Sequence, residues 1–199
     1  MIDDKEFEYK YYANDIKLKE FVSLMEKMGF KKRLDASSWD TYYVKPDEKT
    51  EFQRFRHSSQ PEITKKRKVK STNNWTRIEL DLPLDKERVT EEIVAAYVGL
   101  DGYEKNFSIY KSCFIFWQDK VNYVYYIVYD ENMKELSRFI EVEVNKNKIP
   151  GLLTEEDQKT GGFSGVEEVL NQAASELKKL GLTPQNRLKK SLFELYVKS

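Results

Sequence analysis

The chain has one cysteine and one histidine among its 199 residues. A lone Cys113 forbids an internal disulfide and excludes a disulfide scaffold; its apolar strand setting fits a core residue better than a nucleophile. With His57 the only imidazole, a histidine-based triad or a two-histidine metal site has little support. Neither GxxxxGK[ST] nor GxGxxG occurs, so the common phosphate loops are absent as well. No apolar run approaches the roughly 20 residues that a bilayer span needs, and the chain opens on acids rather than a leader-like segment. The expectation is a soluble, cytoplasmic protein with no membrane partner. Net charge is missing too: 34 basic residues balance 34 acidic ones. No global field therefore gathers nucleic acid, and any anion site must arise from local sorting of charge.

What the sequence does have is aromatic residues and charged alternation. The length suits one core, and a single domain over residues 1–199 is expected. In Glu6-Phe7-Glu8-Tyr9-Lys10 the charged residues share one face of a strand and the aromatics the other. The pattern returns in Arg54-Phe55-Arg56, in Arg77-Ile78-Glu79-Leu80-Asp81 and in Glu141-Val142-Glu143. One such strand would be an ordinary solvated face. Four, with acids and bases mixed, suggest a charged interior wall that holds a metal and a polyanion.

Strand patterns cover 5–13, 39–44, 52–57, 62–70, 75–82, 107–117, 122–130 and 138–144, joined in places by short polar turns. A helix is expected from Ile16 to Met28, closed by Gly29, and a second over 88–99. Ser164 and Glu167 fit a capping box before a third helix that Gly181 ends, and a last helix covers roughly 185–197. Residues 150–163, with Gly161-Gly162, read as a mobile loop. The expected fold class is α+β: about eight antiparallel strands closed into a barrel, with helices packed outside.

The acids Glu6, Glu8, Glu79, Asp81, Asp130, Glu141 and Glu143 offer hard oxygen ligands of the kind divalent cations prefer. The bases Lys10, Arg54, Arg56, Lys70, Arg77 and Lys111 fall on the same strands, at positions consistent with the same face. Arginine presents a planar fork to phosphate oxygens and lysine a compact charge. Both signs together suit a metal–triphosphate complex. Half of the run Lys65 to Lys70 must point outward, and that half could be a solvated face.

These residues resemble the CYTH domain, the triphosphate tunnel metalloenzymes. The likeness rests on ExExK at Glu6, Glu8 and Lys10, on Asp40-Thr41-Tyr42-Tyr43, on RxR at Arg54 and Arg56, and on a lysine strand at Lys70. It continues through Arg77, Glu79 and Asp81, Asp130, the Leu136 to Glu143 segment, and Lys190-Ser191-Leu192-Phe193. Three positions depart from the pattern. Lys111-Ser112-Cys113 stands where the family has K-x-R, Ser137 replaces a glycine, and Leu192 replaces a tyrosine. The resemblance implies a closed eight-stranded tunnel and hydrolysis of inorganic triphosphate or a nucleoside triphosphate with Mg²⁺ or Mn²⁺. It implies Glu6, Glu8, Asp130, Glu141 and Glu143 as metal ligands, with Glu6, Glu8, Asp130 and Glu143 catalytic. Lys10, Arg54, Arg56, Lys70, Arg77, Lys111 and Lys190 would bind phosphates, with Glu79 and Asp81 as further acids. Class IV-type adenylyl cyclase and RNA 5′-triphosphatase remain alternatives, as does a nucleotide-binding protein without turnover. The partner is a small triphosphate or nucleotide; an RNA 5′ end is less favoured, and a homodimer is compatible with the sequence.

Overall fold

A computed structural model of the chain describes residues 5–30, 33–68 and 77–198. The strands are β1 (Lys5–Glu6), β2 (Glu8–Tyr12), β3 (Arg33–Lys45), β4 (Glu48–His57), β5 (Glu62–Lys68), β6 (Arg77–Pro83), β7 (Glu104–Trp117), β8 (Val121–Tyr129), β9 (Glu135–Val144) and β10 (Arg187–Leu188). The helices are α1 (Leu18–Lys27), α2 (Glu91–Gly99), α3 (Ile149–Leu152), α4 (Glu155–Thr160), α5 (Ser164–Ser175) and α6 (Leu192–Tyr196).

The strands form one ten-stranded sheet in the order β1-β6-β5-β4-β3-β7-β8-β9-β2-β10, and every ladder whose register is described is antiparallel. This corrects the expected closed eight-stranded barrel: the class is α+β, but the sheet is open. The expected first strand is broken at Phe7, so β1 lies beside β6 while β2 pairs with β9. The other edge of β2 is taken by β10, through Arg187 opposite Tyr11 and Leu188 opposite Lys10. With that edge filled, no ladder among the described residues closes the sheet.

The chain divides into two compact units. The first comprises residues 1–36, 113–127 and 137–189. Its core forms where the apolar stripe of α1, through Phe21, Leu24 and Met25, meets aromatic strand residues. Phe21 lies 5.7 Å edge-on to Phe116 and 5.5 Å from Tyr125, and Phe30 packs edge-on to Tyr123 at 5.3 Å. The buried phenols are satisfied by backbone: Tyr125 donates to Ile16 O and Tyr123 to Ala173 O.

Residues 150–163, expected to be a mobile loop, instead hold α3 and α4, and Gly161 ends α4 at φ 73°. The capping box expected at Ser164 and Glu167 is not made. Phe163 stands at the N-cap, and Asp157 reaches across to accept from Ser164 N (2.7 Å) and Gly165 N (3.1 Å). Burial would raise that carboxyl, but backbone donors from Thr154, Gly165 and Ser164 outweigh it and hold it well below the usual range. A Cβ on Gly165 would lie 2.0 Å from Leu152 O, so α5 can begin this close to α3 only with glycine there. The expected helix over 185–197 is a 3-10 turn (Pro184–Asn186), then β10, then α6.

The second unit comprises residues 37–112, 128–136 and 190–199. One face of its β3–β4–β5 ladder packs on α2: Tyr43, Phe55 and Ile63 meet Val94, Val98 and Tyr103. Period-two alternation puts Asp40, Tyr42, Arg54, Arg56, Glu62, Thr64 and Lys66 on the opposite face. There, Phe193 of α6 stacks on Phe52 at 4.4 Å. Ser191 caps α6 and Glu194 completes the capping box. No described helix is long and apolar enough to cross a membrane.

Candidate functional site

In the second unit the ladder register assembles a charged network. Asp40 is directly opposite Arg56, Arg56 opposite Glu62, Arg54 opposite Thr64, and Thr64 opposite Asp81. Asp40 is fully buried, and its two oxygens accept from Arg56 Nε (2.9 Å) and Nη2 (3.1 Å), a bidentate pair. Lys111 Nζ lies 2.9 Å from Asp40 Oδ2, and Ser38 Oγ donates to Oδ1 at 3.1 Å. Glu62 Oε1 accepts from Arg56 Nη1 and Arg54 Nη2, each at 3.1 Å. Arg54 Nη2 also donates to Thr64 Oγ1 (2.8 Å), which donates to Asp81 Oδ1 (2.8 Å).

The electrostatics follow from this crowding. Burial would push the Asp40 carboxyl up, but the charges of Arg56, Lys111 and Arg54 outweigh it and hold it well below the ordinary range. Burial would likewise lower Arg56, yet Asp40 and Glu62 raise it further into the charged form. The phenol of Tyr42 is pushed up to about 12, first by burial and then by the charge of Asp40. Asp40 is thus a positioning residue that fixes Arg56 and Lys111. A guanidinium carries five N–H donors. Arg56 spends three of them on Asp40 and Glu62 and is 26% exposed, so it reaches solvent beside buried Asp40, Arg54 and Lys111.

The first unit holds a second cluster, set by the β2–β9 register: Glu8 opposite Glu143 and Lys10 opposite Glu141. Lys10 Nζ lies 2.7 Å from Glu141 Oε1 and 3.3 Å from Glu8 Oε1. Tyr126 donates to Glu141 Oε1 at 2.8 Å, and Asn122 Nδ2 donates to Glu143 Oε1 at 2.8 Å. The Tyr126 phenol is raised well above its usual value, chiefly by burial and next by the charges of Glu141 and Glu8. Cys113 adds the smallest of the upward contributions to this phenol.

Of the residues singled out in the sequence, Glu8, Lys10, Glu141 and Glu143 come together in one unit, and Arg54, Arg56, Lys111 and Asp81 in the other. Asp130 Oδ1 accepts from Asn132 N and Lys134 N, each at 2.9 Å, holding the turn between β8 and β9. Lys190 is exposed beside the α6 cap. For Glu6, Arg77 and Glu79 only strand positions are described, and Lys70 lies outside the described residues. Within the basic run, Lys66 is buried whereas Lys65 points outward to Glu51 at 2.9 Å. Sequence reading did not single out Asp40, Glu62, Thr64, Tyr126 or Asn122 as site residues. The Glu62-Thr64-Lys66 alternation was available as a signal, but only the ladder register reveals what it faces.

No protein-family model and no curated protein sequence matches the chain. Solved structures do match in fold. The PH1012 protein of Pyrococcus horikoshii is similar at TM-score 0.67 and 18% identity, covering 96% of this chain and 98% of its own. A candidate adenylate cyclase of Vibrio parahaemolyticus is similar at TM-score 0.61 and 12% identity, with 96% of each chain covered. An RNA triphosphatase of Schizosaccharomyces pombe is similar at TM-score 0.52 and 13% identity, covering 94% of this chain and 87% of its own. At these identities the likeness is one of fold.

Proposed function

We propose that the chain is a metal-dependent triphosphatase acting on inorganic triphosphate or a nucleoside triphosphate. The carrying observation is the network in which Arg54, Arg56 and Lys111 are locked on one face through Asp40 and Glu62. Preorganised cations of this kind stabilise charge on a transferring phosphoryl group without reorganising during the reaction. The names of the cyclase-like and triphosphatase structures support the same chemistry.

Mg²⁺ or Mn²⁺ fits the acid cluster by donor type. Glu8 directly opposite Glu143 is a like-charge pair that a cation would relieve, and Lys10 lies against Glu8 and Glu141. Among the described residues no three or more His, Cys, Asp or Glu groups form an all-protein cage. Mg²⁺ does not need one, because one or two carboxylates plus phosphates and water suffice. Glu8 and Glu143 would hold the ion together with substrate phosphates, and it would supply Lewis-acid polarisation of a phosphoryl oxygen. Lys10 keeps Glu141 and Glu8 in place, Asn122 orients Glu143, and Tyr126 holds a neutral phenol on Glu141. Within the second unit, Arg54, Arg56, Lys66 and Lys111 are the candidate ligands for phosphate oxygens.

Incubation with ATP and Mg²⁺ or Mn²⁺, with products resolved by chromatography, tests the reaction type. ADP and phosphate are expected, with no release in excess EDTA. Cyclic AMP as the main product would replace hydrolysis with cyclisation. Turnover that began only when 5′-triphosphorylated RNA was supplied would move the substrate to RNA. Phosphate release that persisted in EDTA would contradict the metal-dependent mechanism.

A further inference from the structure

A pocket of about 620 Å³ opens in the first unit, a volume within the range of small-ligand sites. It is lined by Ile115 and Trp117 at the end of β7, Gln118 and Asp119 in the turn that follows, Asn122 of β8, and Asn145, Asn147 and Lys148 after β9. Apolar surface and amides dominate the lining. Its two charges answer each other: Lys148 Nζ lies 2.5 Å from Asp119 Oδ1. The frame is braced, because Asn145 Nδ2 donates to Gln118 O and Asp119 O, each at 2.9 Å, and Asn145 N donates to Lys120 O.

Two features bear on the occupant. Trp117 is 37% exposed at the pocket, so part of a large aromatic surface is left uncovered there. Asn122 lines the pocket and also donates to Glu143, so the pocket adjoins the acid cluster through one shared side chain. A group seated there would be continuous with phosphates held near Glu143. The lining is wrong for the phosphates themselves, since its one cation is already paired with Asp119. It suits a flat, uncharged ring bearing donors and acceptors at its edge. Aromatic side chains stack on nucleobases, and amides of asparagine and glutamine offer the donor–acceptor pair that complements a base edge.

We infer that this pocket receives the nucleobase of a nucleoside triphosphate, with the ring on Trp117 and its edge read by Gln118 and Asn147. The inference rests on the triphosphate reading above and narrows it: a nucleoside triphosphate is preferred to inorganic triphosphate.

The test is a pair of calorimetric titrations, ATP and inorganic triphosphate, each as its non-hydrolysable imido analogue in excess Mg²⁺, on wild type, Trp117→Ala, Trp117→Phe and Asn147→Ala. Wild type should bind ATP more tightly than inorganic triphosphate. Trp117→Ala should weaken ATP by about tenfold, the scale of one lost stacking partner, and leave inorganic triphosphate unchanged. Trp117→Phe should restore most of the loss, and exposed Asn147→Ala should weaken ATP alone without disturbing the fold. Equal wild-type affinities, together with ATP affinity unmoved by Trp117→Ala and Asn147→Ala, would overturn the pocket assignment and leave the triphosphate reading standing. Failure of wild type to bind either compound would remove both.

Discussion

Replacing Asp40 with asparagine is expected to lower the melting temperature by about 10 °C at neutral pH. Asp40 has no exposed surface and is held by Arg56 through two hydrogen bonds and by Lys111 at 2.9 Å. Removing one partner of a buried ion pair costs about 3–5 kcal/mol, because the other charges remain desolvated without compensation. In a chain of this size each kcal/mol moves the midpoint by about 2–4 °C. The pH dependence has a definite sign. The folded carboxyl titrates below its unfolded value, so its contribution is complete above the unfolded pKa of about 4 and disappears as pH falls through the folded one. The difference between wild type and Asp40→Asn should therefore be flat from pH 5 to 8 and narrow below about pH 4. Thermal denaturation of both proteins across that range checks it. An unchanged midpoint at pH 7 would show that Asp40 does not carry this network.

The larger effect on activity is expected at Glu8 and Glu143. Changing either to alanine should cut phosphate release by about a hundredfold or more, the scale on which transition-state charge stabilisation is lost. Neither change should unfold the protein. Glu8 and Glu143 oppose one another in the β2–β9 ladder, so removing one relieves a like-charge contact, and Lys10 keeps its 2.7 Å partner in Glu141. Steady-state rates, read beside melting curves of the same samples, separate lost chemistry from lost structure. Full activity in both variants would remove the acid cluster from the mechanism.

Much of this arrangement was legible in the chain because the period of a strand is two. Glu8 with Lys10, Arg54 with Arg56, and Glu141 with Glu143 had to share faces once the strands were recognised. Which strands would be neighbours was not legible. The Asp40–Arg56 and Glu62–Arg56 pairings arise from β3–β4–β5 register, and an isolated Asp-Thr-Tyr-Tyr segment does not say which cation it meets. Closure of the sheet failed for a similar reason. Two residues after a 3-10 turn, Arg187 and Leu188, occupy the edge of β2, and nothing in their local pattern marks a strand. Asp157 was invisible as the acceptor for the first N–H groups of α5, because its role depends on α3 and α4 forming over residues 149–160. Ser164 carries the sequence signature of a cap and is displaced from that role by this more distant carboxylate.

The central claim is that this charged architecture recognises a triphosphate. Its most direct test is titration of the wild-type protein with a non-hydrolysable imido analogue of inorganic triphosphate in excess Mg²⁺, followed by calorimetry. Saturable binding in the micromolar range is predicted, worth about 8 kcal/mol at 1 μM, with a matching rise in melting temperature. No heat of binding and no thermal shift at millimolar triphosphate would contradict it.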